Sequence, residues 1–411
     1  MRSGKRSWLL GTIFGAAALV VGNVAPAAAA PAMGAPILIN VVECLTGYAA
    51  FLGKGVAAAM KIEEQAVNAE GGINGRPVHF VFYDDQSNPQ QTVEIMSQLM
   101  ANNPAVIMGS QLVSSCNAQA AMVPTGPVVY CLSPGLYPKA GSYVYSAGVS
   151  TQEMLVGLMT YFRGRGFTKI AMINSTDASG EDGQKQLHTV LALPENKDVT
   201  LVSDQQFNTN DLSVTAQIDR IKSSGAQALI VWTTGSPAGT VMQAIVQSGL
   251  NIPIGITAGD MTFEQMQHFK AFLPKELYFV SSVWPAHVSP QVKLPQSVVA
   301  AQTLFYDAFQ KYGHTRPSEA VTIPWDASEI LFDALRKFGP GVTVAQMNGY
   351  ISHLTNYGGV DGIYNFVTVP QRGLSAEDTL VTQWNPQENA WDAVSQAGGA
   401  PLSGSTSASA E

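Results

Sequence analysis

The chain has 411 residues, of which 46% are apolar and only 13% are charged. This composition is enough for two globular domains with apolar cores, and it excludes an intrinsically disordered chain. The formal net charge of −8 at pH 7 repels nucleic acid and anionic membrane surfaces, so we expect neither as a partner.

The N-terminal segment of residues 1–30 has the three regions of a secretory signal peptide. Basic residues precede an apolar run from Trp8 to Val21, and a stretch of small residues follows it. No cysteine follows the apolar run as a lipid attachment site, and no later run approaches the ~18 apolar residues of a membrane-spanning helix. We therefore expect an exported, soluble protein without a lipid anchor.

From Ile37 onward, short apolar runs alternate with amphipathic segments. The run Ile37–Val42 predicts a strand, and Gly55–Ala69 predicts the helix after it. The run Val78–Tyr83 predicts a second strand, followed by a helix that begins at Pro89. This alternation predicts an α/β fold with doubly wound parallel sheets that carry helices on both faces.

Asp84 and Asp85 follow the second predicted strand and could, as paired carboxylates, bind a metal or act in acid–base chemistry. No histidine or further acidic residue clusters with them, and the six histidines of the chain are scattered. Aspartates at such turns typically accept hydrogen bonds from backbone amides. We interpret the pair as structural and expect no metal site and no cofactor.

Two polar turns follow the next two predicted strands. Ala105–Met108 leads into a Gly-Ser-Gln turn and a helix that begins near Val113, and Val128–Leu132 leads into Ser133-Pro134-Gly135. In an open α/β sheet, ligands bind beyond the carboxyl ends of the strands, so both turns should face one crevice. Donor-rich turns beside a helix N-terminus favour an anion, most simply a carboxylate.

The three cysteines are Cys44, Cys116 and Cys131. Cys116 lies at a helix start and Cys131 near the end of the following strand, so both lie toward the same sheet edge. In an oxidising compartment these two can form a disulfide. Three small buried thiols are the alternative.

Three segments in combination resemble the leucine/isoleucine/valine-binding family of periplasmic solute-binding proteins that serve ABC transporters. They are Leu45–Gly47, Asn68–Arg76 and Tyr83–Pro89, and a weaker resemblance continues to Trp391. The resemblance implies two doubly wound lobes joined by three crossovers that close over a small-molecule ligand, without enzymatic activity. It also implies a periplasmic location and ABC permease subunits as partners, and we expect a monomer.

The resemblance and the strand pattern together divide the chain. We predict lobe 1 from residues 36–147 plus 284–360, lobe 2 from residues 148–283 plus 361–395, and a disordered Gly/Ser/Ala-rich tail at 398–411. The predicted strands of lobe 2 are Lys169–Ile173, Val199–Val202, Ala228–Trp232, Ile254–Thr257 and Leu277–Val280.

The resemblance also implies residues of the first lobe that bind the ligand carboxylate. In this family a serine at the start of the third helix and donors just after the next strand have that role. Ser114 matches the first position, with Ser115 as the near alternative, and Ser133 and the Gly135 amide match the second. Tyr137 stands where amino-acid binders usually have threonine, and it could donate its hydroxyl or lay its ring on the ligand.

The second lobe departs from the amino-acid binders. Ala258 occupies the position of the acidic residue that meets the ligand ammonium, and Asp260 follows two residues later. Phe51, Ser179 and Thr234 lie at or near positions where tyrosines are common. Because a buried unpaired ammonium costs several kcal/mol, either Asp260 substitutes or the ligand has no ammonium. We expect an aromatic or aliphatic carboxylate, with an amino acid bound through Asp260 as the alternative.

Two further function classes remain open at this point. A ligand sensor would present the same clamshell to a receptor, and neighbouring permease and ATPase genes would distinguish the two roles. A secreted hydrolase is disfavoured because the chain has no Gly-x-Ser-x-Gly elbow. A dinucleotide site is disfavoured because no Gly-x-Gly-x-x-Gly follows the first strand. We interpret Trp232 and Trp325 as core residues rather than ligand platforms.

Overall fold

A computed structural model describes residues 32–403, so the predicted signal peptide lies outside the described residues. The strands, most of them in two sheets, confirm the alternation predicted from the sequence. They are β1 (Ile37–Glu43), β2 (Val78–Asp84), β3 (Val106–Met108), β4 (Val128–Cys131), β5 (Val144–Ser146), β6 (Lys169–Ser175), β7 (Thr200–Phe207), β8 (Ala228–Trp232), β9 (Ile254–Thr257), β10 (Leu277–Ser282), β11 (Tyr357–Gly358), β12 (Ile363–Tyr364), β13 (Thr379–Asn385) and β14 (Ala390–Ala393).

Helices connect most of these strands. They are α1 (Ala50–Ala69), α2 (Pro89–Met100), α3 (Val113–Met122), α4 (Thr151–Gly164), α5 (Ala178–Leu191), α6 (Thr215–Ser223), α7 (Ser236–Ser248), α8 (Phe263–Phe269), α9 (Gln296–Ala308), α10 (Glu319–Phe338) and α11 (Val344–Ser352). Single helical turns occur at Pro194–Asn196, Ala258–Asp260, Lys270–Phe272, Trp284–Val288, Phe309–Gly313 and Ala376–Asp378. Within residues 32–403 no helix combines the length and the apolar character needed to cross a membrane.

The first sheet has five parallel strands in the order β2-β1-β3-β4-β5. Alternate residues of its strands point to opposite faces. Val42 and Ile107 pack with α2 and α3, whereas their neighbours Val41 and Met108 pack with α1 and α10. Both faces are therefore covered, as expected for a parallel sheet.

The second sheet has seven strands in the order β14-β13-β10-β9-β8-β6-β7. Strands β6 to β10 run parallel to one another, β13 is antiparallel to β10, and β14 is antiparallel to β13 at the edge of the sheet. Every residue of β8 is buried, which matches its continuous apolar sequence. The predicted second-lobe strands are all present, with β7 longer than expected.

The chain passes between the lobes after β5, after β10 and before β13. After β12 the chain still packs against the first lobe. The ring of Phe366 lies 5.7 Å from that of Tyr145, and the carbonyl of Gln371 accepts a 2.8 Å hydrogen bond from the amide of Ser146. The predicted start of the second-lobe segment at residue 361 is therefore too early, because these aromatic and polar contacts hold the chain to the first lobe as far as Arg372.

The C-terminal segment of residues 398–403 is folded back rather than disordered. Pro401 forms an antiparallel bridge with Ser395, and the amide of Leu402 donates to the carbonyl of Val394 at 2.9 Å. Leu402 also packs against an apolar cluster that includes Ala393. The prediction of a disordered tail from residue 398 is therefore wrong for residues 398–403, because this segment still contains apolar side chains that pack against the folded protein. The rest of the predicted tail, residues 404–411, lies outside the described residues.

Candidate functional site

A cavity of about 100 Å³ lies between the two lobes, where the carboxyl ends of strands from both sheets meet. Both turns identified in the sequence, after β3 and after β4, contribute to its wall. The cleft is therefore shaped for a small molecule.

The N-terminus of α3 forms one part of the first-lobe wall. Leu112 occupies the N-cap position without a side-chain hydrogen bond, and the first helical bond runs from the amide of Cys116 to the carbonyl of Leu112. The amides of Val113, Ser114 and Ser115 have no partner among residues 32–403. Unpaired first-turn amides carry the positive end of the helix dipole and attract anions.

The turn after β4 lies beside this helix start. Ser133 is buried, and its hydroxyl has no hydrogen-bond partner within the described residues. The amide of Gly135 is also unpaired there, and Ser133, Pro134 and Gly135 all line the cavity. The carbonyl of Ser133 is held by the hydroxyl of Ser146 at 2.7 Å. A fixed turn with buried unpaired donors can bind the oxygen atoms of a ligand.

The two serines predicted at the start of α3 differ in position. Ser114 is half-buried and lies beside the hydroxyl of Tyr48, which lines the cavity, although Ser114 itself does not. Ser115 is buried, and its hydroxyl accepts a 3.1 Å hydrogen bond from Thr92 of α2 and approaches Asp85. Successive helical residues point about 100° apart. The hydroxyl of Ser115 is therefore engaged in packing and is not directed at the cavity, whereas its amide remains one of the unpaired first-turn amides.

The carboxylates of Asp84 and Asp85 accept hydrogen bonds from backbone amides, as interpreted from the sequence. Asp84 accepts from the hydroxyl of Thr46 and from the amides of Gln86 and Thr46, and these bonds lower its pKa despite partial desolvation. Asp85 accepts from the amide of Ser87 at 2.9 Å. The pair fixes the loops around the first-lobe wall.

Tyr137 does not line the cavity. It is 44% exposed, its hydroxyl accepts a 3.3 Å hydrogen bond from the amide of Gln152, and its ring lies 5.7 Å from the guanidinium of Arg372. Leu136 is buried in the core beneath α3, so the chain turns away from the cavity after Gly135. The prediction that Tyr137 contacts the ligand is not supported by this geometry.

The second-lobe wall contains Ser179, Thr234 and Ala258, which all line the cavity as predicted. Trp232, interpreted as a core residue, is 2% exposed and also lines the cavity. Any side chain at Gly183 would collide with its indole, so close packing fixes the ring. Trp325, by contrast, packs in the core against Phe305 at 5.1 Å.

Asp260 does not face the cavity either. Its Oδ1 atom accepts hydrogen bonds from the amide of Gly235 at 2.8 Å and from Nε2 of Gln265 at 3.1 Å. Burial raises the pKa of Asp260 to about 7. The residue ties together two loops of the second lobe, so the structure does not support it as a partner for a ligand ammonium.

Two carboxyl groups in the cavity wall were missed from the sequence, Asp177 and Glu319. Asp177 caps α5, with Oδ1 accepting from the amide of Gly180 and the hydroxyl of Ser175. Burial, with the nearby charge of Asp361, raises the pKa of Glu319 well above its usual range. Asp177 follows strand β6, so the rule that located Ser133 could have found it. Glu319 begins α10, and no local signal places it at this cleft.

Two close approaches across the cleft show that the lobes are closed over the cavity. A Cβ atom on Gly235 would lie 3.0 Å from the ring of Phe51, which lines the cavity as predicted. A Cβ atom on Gly135 would lie 3.0 Å from Oδ2 of Asp182 in α5. Glycine at both positions permits the lobes to meet.

A disulfide joins Cys116 and Cys131, with their Cα atoms 6.0 Å apart, and Cys44 is a buried free thiol. The bond links the first turn of α3 to the end of β4, which are the elements that carry the unpaired donors. In the part of the chain that the structure describes, no lysine, arginine or histidine lines the cavity, and no group of three or more metal-ligating side chains is assembled.

Comparisons with known proteins agree with this architecture. A family model described as periplasmic binding protein matches residues 36–389. The chain is 22% identical over 231 residues to an amino acid binding protein of Pseudomonas aeruginosa, an alignment that covers 53% of this chain and 59% of that protein. The chain thus spans about three-fifths of the length of this curated relative.

Solved structures with the same fold hold ligands of two kinds. The substrate binding protein LivJ of a Streptococcus pneumoniae branched-chain amino acid transporter, in complex with isoleucine, is 17% identical with a TM-score of 0.70, over 88% of this chain and 99% of that chain. A solute binding protein of an ABC transporter from Rhodopseudomonas palustris, in complex with benzoate, is 14% identical with a TM-score of 0.69, over 88% and 96%. These likenesses concern the fold. With its two lobes closed over one cleft and a family match from residue 36 to residue 389, this chain belongs to the periplasmic binding protein family.

Proposed function

We propose that this protein is the periplasmic substrate-binding component of an ABC importer and that it binds a small monocarboxylate with an aromatic or branched aliphatic body. The observation that carries the proposal is the unpaired hydroxyl of Ser133 beside the free first-turn amides of α3. These donors converge on a cleft that no cationic side chain of the described chain lines. The carboxylate is neutralised by oriented amides rather than by an ion pair.

The chemistry of the donors favours a negatively charged group. Hydrogen bonds to a charged group contribute roughly 1.5 to 3 kcal/mol each, about twice the contribution of neutral ones. Ser133 and the amides of Gly135 and Val113 supply donors at one end of the cavity. The ligand carboxylate lies at this first-lobe end.

The remainder of the cavity suits an apolar ligand body. Phe51, Leu132, Met154, Trp232 and Ile323 all line it. Ligand pockets typically combine such an apolar lining with a few placed polar groups. The small volume restricts the body to about one ring or one branched chain.

A matched panel in isothermal calorimetry tests the proposal. Leucine is compared with 4-methyl-2-oxopentanoate, and phenylalanine with benzoate, phenylacetate and a phenylpropenoate. We expect at least one acid to bind at least about tenfold more tightly than its amino acid, because the acid has no ammonium that must be desolvated. The ligand should be recovered unchanged. Micromolar binding of leucine or phenylalanine, together with no measurable binding of any of the acids, would contradict the proposal.

An amino-acid ligand is the second candidate, and the position of Asp177 favours it. Asp177 lines the second-lobe wall and uses only Oδ1 in capping α5, so Oδ2 could accept from an ammonium. Asp177→Asn should weaken amino-acid binding at least about tenfold if this candidate is correct. The same variant should leave acid binding equal or tighter if the ligand is a simple carboxylate. Asp198→Asn, at an exposed position of the second lobe, is the matched charge control.

A further inference from the structure

Arg372 is a buried arginine directly behind the turn that carries Ser133 and Gly135. Its side chain reaches backbone carbonyls on two separate segments. Nη1 donates to the carbonyl of Gly148 at 3.0 Å, and Nη2 donates to the carbonyls of Pro134 (3.1 Å) and Leu136. The residue as a whole is only 5% exposed. One guanidinium therefore holds the donor turn against the first crossover.

The bond to Pro134 fixes the direction of a ligand donor. The carbonyl of Pro134 and the amide of Gly135 belong to the same peptide group. In a trans peptide the C=O and N–H bonds point in opposite directions. When Arg372 binds the carbonyl, the N–H of Gly135 must point away from Arg372, and Gly135 lines the cavity. A charged donor on the carbonyl also polarises the peptide group and strengthens its N–H as a donor.

Within residues 32–403, the charge of Arg372 has no ion-pair partner. No carboxylate of the described residues lies within 4.0 Å of its guanidinium, which stacks instead over the ring of Tyr137. Asp182 and Glu153 act on it from a greater distance. Burial lowers the pKa of Arg372 to about 10, so the group remains protonated at neutral pH. A buried cation without a close counter-ion favours a negative charge bound nearby.

We propose that Arg372 is a positioning and selectivity residue of the ligand site, which orients the Gly135 amide and biases the cleft toward an anionic ligand without touching that ligand. This inference rests on the proposed function, because it requires a carboxylate on the first-lobe donors. It also assigns a role to Tyr137, whose ring lies 5.7 Å from the guanidinium and covers part of it.

Binding of acids and of their neutral amides separates this role from simple structural support. Calorimetry of Arg372→Met with benzoate and benzamide, and with 4-methylpentanoate and 4-methylpentanamide, provides the two matched pairs. We expect the variant to lose about 10- to 100-fold in affinity for the acid that the wild type binds and less than about threefold for its amide. Arg372→Lys, which keeps the charge, should recover most of the affinity for the acid.

Arg165→Met is the control for removing a buried arginine. The side chain of Arg165 is 6% exposed and contacts Glu276 and two tyrosines of the second lobe, and none of its hydrogen bonds or ion pairs involves the donor turn. It should leave both affinities unchanged. If Arg372→Met does not fold, Arg372→Gln removes the charge but keeps an N–H donor for the carbonyls, and the same loss of acid binding is expected.

Equal losses for acid and amide in the Arg372 variants would overturn the inference and leave the proposed function standing. Unchanged acid affinity in Arg372→Met would overturn it as well. Failure of the wild type to bind any acid would instead overturn the proposed function, and the inference with it.

Discussion

The two walls of the cleft differ in the hydrogen bonding of their polar groups. On the first-lobe wall, the hydroxyl of Ser133, the amide of Gly135 and the first amides of α3 have no partner within the described residues. On the second-lobe wall, Asp177 caps α5 and the nearby Asp260 binds the amide of Gly235. The first wall therefore offers free donors to a charged group, whereas the second wall covers that group when the lobes close.

This difference suggests why closure should depend on the ligand. In an open cleft, water satisfies the donors of the first wall. When the lobes close, water leaves, and a buried donor without a partner costs about 1 to 3 kcal/mol. In the closed form, no acceptor of the second wall within the described residues binds the hydroxyl of Ser133 or the amide of Gly135. A bound carboxylate removes that cost, so the ligand shifts the equilibrium toward the closed form.

The largest expected effect follows from Gly135, where the two walls meet. In Gly135→Ala the new Cβ would lie 2.7 Å from Cγ2 of Val113 and 3.0 Å from Oδ2 of Asp182. The donor turn must shift and the second lobe cannot close. We expect at least about a 100-fold loss of ligand affinity, two decades being about 2.7 kcal/mol. Small-angle scattering should show no compaction with ligand.

Gly341→Ala is the control for this prediction, because no heavy atom lies within 4 Å of its Cβ position. It should bind like the wild type. Normal affinity and compaction in Gly135→Ala would show that the walls do not meet at this turn in solution.

The second prediction compares the contributions of one hydroxyl donor on each wall to ligand affinity. Ser133→Ala should lower affinity for the bound acid about 10- to 100-fold, since it removes a charge-assisted hydrogen bond. Thr234→Val, on the second wall, should cost less than about threefold. Calorimetry of both variants measures the difference, and Ser115→Ala should reduce thermal stability without changing affinity. A larger loss in Thr234→Val than in Ser133→Ala would reverse the comparison.

A smaller effect on affinity is expected from the disulfide Cys116–Cys131, which lies on the first wall. The double variant Cys116→Ser/Cys131→Ser removes the link between the two donor elements. We expect a few-fold loss of affinity and about 3 kcal/mol of stability for a loop with a sequence separation of 15. Thiol titration of the denatured, unreduced wild type should find one reactive cysteine, Cys44. Three reactive thiols would contradict the bond.

The smallest effect on ligand binding concerns pH, because the buried carboxyls of both lobes act within each lobe. Burial raises the pKa of Asp260 to about 7 and that of Asp326 to about 8, against ~3.9 in an unfolded chain. The folded protein therefore binds more protons than the unfolded one between about pH 4 and 8. Stability should be greatest at acidic pH and should fall as pH rises to about 8.

Thermal unfolding measured from pH 5 to pH 8 checks this prediction. Asp260→Asn cannot ionise, so it should show a weaker fall, each pKa unit being about 1.4 kcal/mol. A melting temperature that rises with pH over this range would contradict it.

The sequence predicted the positions of the donors better than the directions of the side chains. Ser133 and Gly135 were located because they follow a strand in a parallel sheet, and ligands bind at that edge. Ser115 and Tyr137 were assigned to the site by matching this chain, residue by residue, to the pattern of the family. An error of one residue in that match turns a side chain by about 100° in a helix, or to the opposite face of an extended segment. The position of a functional residue along the chain is therefore predicted more accurately than the direction in which its side chain points.

The sequence by itself determined the α/β alternation, the two-lobe family resemblance and the edge of the sheet that carries the site. It could do so because hydrophobic periodicity and the start and stop signals of helices are local properties of the chain. Only the tertiary structure decided which polar groups stay unpaired. That property depends on every neighbour in space, and here the neighbours come from distant parts of the chain. Arg372 binds the carbonyl of Pro134 across 238 residues of sequence, and Glu319 reaches the cleft from the start of α10. No local pattern encodes such a contact, because it exists only after both lobes have packed.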